Sequence, residues 1–230
     1  MRLDQFLVSK QGISSRSQAS DIIKRGYVFV NNVQVIKPAY QVLETDFITI
    51  DKKHVYVSRG GDKLYPFITS IQVEIRDKIA LDVGASTGGF TEVLLSLGAK
   101  HVFCVDVGKD QLAEELRQDS RITNIEGMNI LNYDIPAHDV CVIDVSFTSV
   151  LPILNVLYPH TKEVIVLIKP QFEQHKKFKD VIKNEAEREN ILENVMKHIK
   201  QIGFTIHTYA KSHVLGKKGN QEYFAYLTKE

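Results

Sequence analysis

From residue 79 onward, apolar β-rich runs alternate with helix-patterned stretches, and this alternation constrains the fold more than any other feature of the chain. The spacing predicts seven strands, at Ile79–Val83, His101–Val105, Ile122–Ile125, Val140–Asp144, Val164–Ile168, Phe204–Tyr209 and Tyr223–Leu227. Helical patterns fall between most of them, near Phe90–Leu97, Gln111–Arg117, Val150–Leu157 and Glu185–Ile202. Such an order predicts an α/β, Rossmann-like domain, a mainly parallel sheet with helices on both faces. The last two strands follow one another without a helix, so the final strand is expected to be antiparallel.

The chain has 230 residues, which fits one medium domain plus a small one at roughly 100–200 residues per domain. Hydrophobic residues make up 43% and charged residues 25%, which excludes wholesale disorder. No apolar run approaches the ~18 residues of a membrane helix, and Asp4 and Gln5 interrupt the place of a signal-peptide core. The expected location is the cytoplasm. Cys104 and Cys141 lie in apolar runs without metal-ligand spacing, so they read as reduced core residues, and no metal is expected. Charge is unevenly spread: residues 1–57 carry +3 and residues 58–230 carry −2, which suggests two domains.

The basic N-terminal part reads as its own module. Ser15-Arg16-Ser17-Gln18 has the form of a capping box, followed by Ala19, Ile22 and Ile23 at helical spacing and a stop at Gly26. Val28–Val30 and Val33–Val35 flank Asn31-Asn32, a hairpin signal, because Asn tolerates the positive φ of a two-residue turn. A short strand, Phe47–Ile50, follows. This order, with R-L-D at residues 2–4, S-R-S-Q-A at 15–19 and the G-x-V-x-V-N run from Gly26, resembles the S4 RNA-binding domain. The resemblance implies a small α+β domain over 1–52, a linker over 53–61, and a basic helix face for structured RNA. Arg2, Arg16, Lys24 and Arg25 are its expected RNA contacts.

At the end of the first strand of the large domain, expected over 62–230, lies Asp82-Val83-Gly84-Ala85-Ser86-Thr87-Gly88-Gly89-Phe90. A glycine-rich turn between strand and helix lets a ligand approach the backbone and meet the N–H groups of a helix start. Ser86 stands where a dinucleotide fingerprint needs its second glycine. Asp106, after the second strand, is placed to accept both hydroxyls of an adenosine ribose, so nucleotide or adenosyl binding is expected.

D-V-G-A-S-T-G-G-F resembles the S-adenosylmethionine loop of FtsJ-type RNA ribose methyltransferases, in particular their TlyA (hemolysin A) branch. Ser58–Leu64 resembles the family's S-R-G-G-x-K-L, Asp144–Phe147 its D-V-S-F, Ile168–Glu173 its I-K-P-Q-F-E, and Gly219–Glu222 its G-N-x-E. After the third strand only Asn129 matches clearly. The resemblance implies S-adenosylmethionine as cofactor, held by Asp82, Gly84, Ser86, Gly88, Gly89, Phe90, Asp106 and Asn129. It implies ribosomal RNA within ribosomal subunits as partner, with a ribose 2′-hydroxyl, expected on cytidine, as methyl acceptor. The short ends of the chain resemble the subtype acting on large-subunit RNA alone.

The resemblance also selects Lys63, Asp144, Lys169 and Glu222 as a catalytic tetrad. An alcohol is a poor nucleophile unless its proton leaves as the new bond forms, and a lysine beside it can stabilise the developing charge or accept the proton. Lys169 takes that central role. Asp144 and Glu222 orient and balance the lysines, and Lys63 holds the ribose or a phosphate. Arg59, Lys176, Lys177, Lys217 and Lys218 are expected to form an RNA-facing rim. Two other classes compete: a non-catalytic RNA-binding factor, against which the intact tetrad speaks, and a membrane-active haemolysin. For the latter the sequence offers neither a span nor an apolar helix with a Lys/Arg face.

Overall fold

The computed structural model describes residues 1–51, 55–174 and 181–229. The chain divides into two units, Met1–Val55 and Tyr56–Glu230.

In the first unit, α1 (Leu3–Gln11) and α2 (Arg16–Lys24) precede β1 (Val28–Val30), β2 (Val33–Gln34) and β3 (Ile48–Ile50). The strands form an antiparallel sheet in the order β2-β1-β3. Leu3, Leu7, Ala19, Ile22, Ile23, Val28 and Val30 make the core, drawn from one face of each helix and alternate strand positions. Asn31 and Asn32 take φ of 51° and 64°, the left-handed values the expected hairpin turn demands. Ser15 caps α2 by accepting from Gln18 N at 3.2 Å. Gln18 does not close the capping box on Ser15; its Oε1 accepts from Ser14 N and Ser14 Oγ instead.

The second unit begins with α3 (Arg59–Ser70), a helix that the sequence pattern does not announce. Its first residues, 59–61, are the last of the expected linker. Gly60, Gly61 and Pro66 disfavour a helix on propensity, but Ser58 caps it, accepting from Gly60 N, and Leu64, Phe67 and Ile68 form a buried stripe. Then come β4 (Ile79–Val83), α4 (Gly89–Ser96), β5 (His101–Asp106), α5 (Glu114–Arg117), β6 (Ile122–Glu126), β7 (Val140–Ile143), α6 (Leu151–Leu157), β8 (Glu163–Ile168), α7 (Glu185–Ile202), β9 (Thr205–Lys211) and β10 (Tyr223–Thr228). The seven strands run β6-β5-β4-β7-β8-β10-β9, parallel except for β10, which pairs antiparallel with both β8 and β9.

Helices cover both faces, which is why the central strands read as unbroken apolar runs. Ala80, Val140, Val142, Ile165, Leu167 and Phe224 face the side carrying α3 and α4. Leu81, Val83, Cys141, Ile143, Val164, Val166 and Ile168 face α6 and α7. Cys104 and Cys141 are buried with free thiols. α5 is a single turn, starting three residues later than its sequence pattern suggests. The N–H groups of Asp110, Gln111 and Leu112 donate to the Glu126 carboxylate at 2.6–2.9 Å, while Ala113, extended at ψ 140°, breaks the helical path just before Glu114.

Candidate active site

Parallel strands all point one way, so the loops after β4, β5, β7 and β8 gather at one edge of the sheet. β10 runs in reverse and begins at that same edge, its Tyr223 opposite Ile168. Four residues expected to form the catalytic group meet there as two ion pairs. Lys169, directly after β8, places Nζ 2.5 Å from Asp144 Oδ1, directly after β7. Asp144 Oδ1 itself has no hydrogen-bonded donor. Lys169 Nζ also donates to Ser146 Oγ at 3.0 Å. From α3, Lys63 Nζ donates to Glu222 Oε2 at 2.7 Å. Lys63, Lys169 and Glu222 are buried, with relative exposures of 8%, 7% and 3%. Two lysines and two carboxylates in so dry a place must neutralise each other.

Beside the Asp144 end of this group lies a cleft of about 510 Å³. Val83 lines it from the end of β4 and Gly84 and Ser86 from the loop that follows, Asp106 from the end of β5 and Val107 just after it, Met128–Leu131 from the stretch after β6, and Asp144–Thr148 from that after β7. Gly84, at φ 84°, is needed here: a Cβ would fall 2.5 Å from the Asp144 carbonyl oxygen. The close approach of these two loops joins the cleft to the ion pairs. Asp106 accepts from Ser86 N through Oδ2 at 2.8 Å and from Gly108 N through Oδ1 at 2.7 Å, which fixes its carboxylate in the wall. Asn129 lines the cleft while its Oδ1 accepts from Leu131 N and caps a short turn at Ile130–Asn132.

The other expected cofactor residues serve the frame of the cleft and do not line it. Asp82 is fully buried beneath the loop; it accepts from Thr91 Oγ1 at 2.6 Å through Oδ2, while Oδ1 has no donor. Burial pushes its carboxyl up to about 7, against the opposing hydrogen bond from Thr91. Gly88 caps α4 in a left-handed conformation. Gly89 packs so closely on Ser58 and Gly61 of the α3 start that a Cβ would collide with both, and Phe90 is a core residue. Sequence reasoning missed Ser146, Gln111, Met128, Leu131 and Phe147, all on the cleft or the ion pairs. Phe147 is 77% exposed at the cleft, which the sequence does not announce. Its φ of 64° only the structure reveals.

The expected rim residues divide. Arg59 donates to the Leu215 carbonyl, tying α3 to the loop between β9 and β10. Lys217 and Lys218 are exposed on that loop, and Lys176 and Lys177 lie outside the described residues. In the N-terminal unit, Asp4 is buried at 3% exposure and accepts from Arg2 at 2.8 and 3.0 Å and from Arg16 at 3.2 Å. The Arg2 and Arg16 guanidiniums hold its carboxyl far below the usual range, against the opposing effect of burial. This explains the R-L-D run. Arg16 and Lys24 are exposed. Arg25 differs from them: its side chain is only 6% exposed, paired with Asp21 at 3.1 Å and laid over the Tyr27 ring at 5.0 Å.

Among the described residues, no group of His, Cys, Asp or Glu is placed to hold a metal ion, and no helix is long and apolar enough to cross a membrane. Comparison with known proteins agrees with the two-unit division. The S4 domain family matches residues 1–48 and the FtsJ-like methyltransferase family residues 56–229. Hemolysin A of Brachyspira hyodysenteriae is 40% identical, covering 99% of each chain. The 16S/23S rRNA (cytidine-2′-O)-methyltransferase TlyA of Mycobacterium tuberculosis is 35% identical over 98% of this chain and 89% of its own. A solved structure from Streptococcus thermophilus, provisionally named a hemolysin, superposes with a TM-score of 0.74 at 32% identity, covering all of this chain and 88% of that one. A strand-end tetrad beside a glycine-rich cleft, an S4 module ahead of it and full-length relatives all agree: this chain belongs to the FtsJ-like methyltransferase family, in its S4-bearing TlyA/hemolysin A branch.

Proposed function

We propose that this protein transfers the methyl group of S-adenosylmethionine to a ribose 2′-hydroxyl, that of a cytidine, in ribosomal RNA, acting on ribosomal subunits in the cytoplasm. One observation carries the reading: the Lys169–Asp144 and Lys63–Glu222 pairs stand at the strand ends, with Asp144 also lining the cleft.

The residues present fit the cofactor. A cleft of about 510 Å³ lies within the ~300–1,000 Å³ usual for ligand sites. Asp106 in one wall offers a fixed carboxylate for a ribose diol, and the Gly84–Ser86 backbone leaves room for close approach. Asp82, Gly88, Gly89 and Phe90 support that loop from below. When bound, S-adenosylmethionine supplies an electrophilic methyl group on a sulfonium.

The chain's own task is then to orient the alcohol and meet the charge that develops on it. Lys169 Nζ, steered by Asp144 and Ser146, faces the attacking oxygen and stabilises the charge on it as its proton passes to water. Lys63, held by Glu222, steadies the ribose or an adjoining phosphate. Because both pairs are largely withdrawn from water, their electrostatic effect is stronger than at a surface. The N-terminal unit supplies affinity for folded RNA through Arg2, Arg16 and Lys24, with Lys217 and Lys218, and Lys176 and Lys177, adding phosphate contacts from the large unit. The relative from Brachyspira carries the name Hemolysin A, and dye release from liposomes tests that alternative directly.

The deciding experiment is transfer of labelled methyl from S-adenosylmethionine to purified ribosomal subunits, followed by mapping of 2′-O-methylated cytidines with and without the gene. Labelled subunits and a cytidine methylated only when the gene is present are expected. No transfer to either subunit would refute the reading.

A further inference from the structure

Glu173 closes the I-K-P-Q-F-E run that starts β8's exit, yet neither ion pair uses it. Its carboxylate reaches across to the loop after β7. Oε2 accepts from Ser149 Oγ at 2.5 Å and Oε1 from Val150 N at 3.0 Å, while Ser149 Oγ in turn accepts from Leu151 N at 3.2 Å. These N–H groups belong to the start of α6, whose cap residue, Val150, has no side-chain acceptor of its own. On the other side, Phe172 N and Glu173 N donate to the carbonyls of Lys169 and Pro170 at 2.8 and 3.2 Å, so 169–173 is one tight turn. The phenyl rings of Phe147 and Phe172 meet across the same gap, 5.2 Å apart. Glu173 is thus a second polar link, beside the Lys169 ammonium itself, between the turn bearing Lys169 and the loop bearing Asp144 and Ser146. Burial raises its carboxyl above the ordinary range, and the two donors pull it back.

We infer that Glu173 is a positioning residue: it latches the Lys169 turn to the Asp144–Ser149 loop and thereby sets how the Lys169 ammonium meets the reacting oxygen. The inference rests on the proposed methyl transfer for its kinetic consequence, but the latch itself is a property of the free chain. Loss of the carboxylate frees two donors and lets the loops part, so Lys169 keeps its charge but loses its aim. Hydrogen bonding carries the latch, not charge. Glutamine can accept from Val150 N and donate to Ser149 Oγ, so Glu173→Gln keeps both links.

Two measurements on the full chain test this. Amide hydrogen exchange over residues 145–151, with no cofactor present, should quicken in Glu173→Ala and Ser149→Ala and stay near wild type in Glu173→Gln. Single-turnover methylation of ribosomal subunits, both substrates saturating, should fall roughly 10–100-fold in Glu173→Ala, as losing an orienting partner typically costs. It should recover most of that loss in Glu173→Gln, with S-adenosylmethionine affinity within about twofold throughout. Should Glu173→Ala not fold, Ser149→Ala and Glu173→Gln decide. Unchanged exchange in Ser149→Ala and Glu173→Ala, a glutamine variant as slow as the alanine one, or a rate loss matched by cofactor loss would each overturn the latch. A wild-type protein that transfers no methyl, with exchange responding as stated, would refute the function and leave the latch standing.

Discussion

Ile168 of β8 pairs with Tyr223 of β10, so Lys169 and Glu222 continue from neighbouring antiparallel strands at one edge of the sheet. They do not pair with each other. Lys169 turns to Asp144 and Ser146 from β7's exit, while Glu222 takes Lys63 from α3. One strand pairing therefore sets side by side two ion pairs assembled from four chain segments. The antiparallel β10 is what makes this possible: a parallel strand in its place would bring its C-terminal end to this edge.

Lys169→Ala should lower single-turnover methylation of ribosomal subunits about 10²–10³-fold, the usual cost of one well-placed electrostatic group. Cofactor and RNA affinities should change far less, because the charge matters most when the oxygen attacks. Lys169→Arg should not rescue the rate, since a planar, bulkier guanidinium does not fit beside Asp144 and Ser146 as an ammonium does. Wild-type turnover in the alanine variant would remove Lys169 from the chemistry.

Asp106→Ala should weaken S-adenosylmethionine binding by at least about tenfold in calorimetry, through two effects. The ribose diol would lose its acceptor, and the N–H groups of Ser86 and Gly108 would lose theirs, loosening the cleft wall. Asp106→Asn retains a single carbonyl acceptor and should fall between. Equal affinity in all three proteins would place the ribose elsewhere.

In the N-terminal unit, exposure separates two kinds of arginine. Arg16→Glu and Lys24→Glu should weaken RNA binding and lower the salt slope by about one for each phosphate left without its cation. Arg25→Ala should leave that slope unchanged and destabilise the unit by roughly 1 kcal/mol, since it removes packing, the Asp21 pair and the cation over the Tyr27 ring. Filter binding across a salt series, with thermal melts of each variant, checks both halves.

Much of this is legible in the sequence because it follows short-range rules. The unbroken apolar runs announce strands buried on both faces, Leu81 on one and Ala80 on the other, and Asn31-Asn32 announces its turn. Strand ends tell where Asp144, Lys169 and Glu222 lie. What stays hidden depends on tertiary packing. The α3 helix survives Gly60, Gly61 and Pro66 because its glycines let it press on Gly89 of α4 and its apolar stripe is buried. α5 is short because Ala113 is extended at ψ 140°, its N–H donating to the Thr87 carbonyl of a distant loop. Arg25 reads like Lys24 in the sequence, and only packing against Tyr27 tells them apart.

Asp82 gives the fold a pH dependence of definite sign. Its carboxyl titrates at about 7 in the folded chain against an ordinary value of 3.8, so between those limits the native state holds a proton that the unfolded chain releases. Stability from this group is fully present below about pH 4 and is lost as pH rises through 7. Asp82→Asn keeps an acceptor for Thr91 Oγ1 and cannot ionise, so the difference in Tm between variant and wild type should grow in the variant's favour from pH 5 to pH 8. A difference of a few kcal/mol corresponds to several degrees in a chain of this size, at roughly 2–4 °C per kcal/mol. Melting both proteins over that range, without cofactor, isolates this one group from every other titration they share. A Tm difference independent of pH would mean that Asp82 stays ionised beneath the loop, its unpaired Oδ1 then served by a donor other than Thr91.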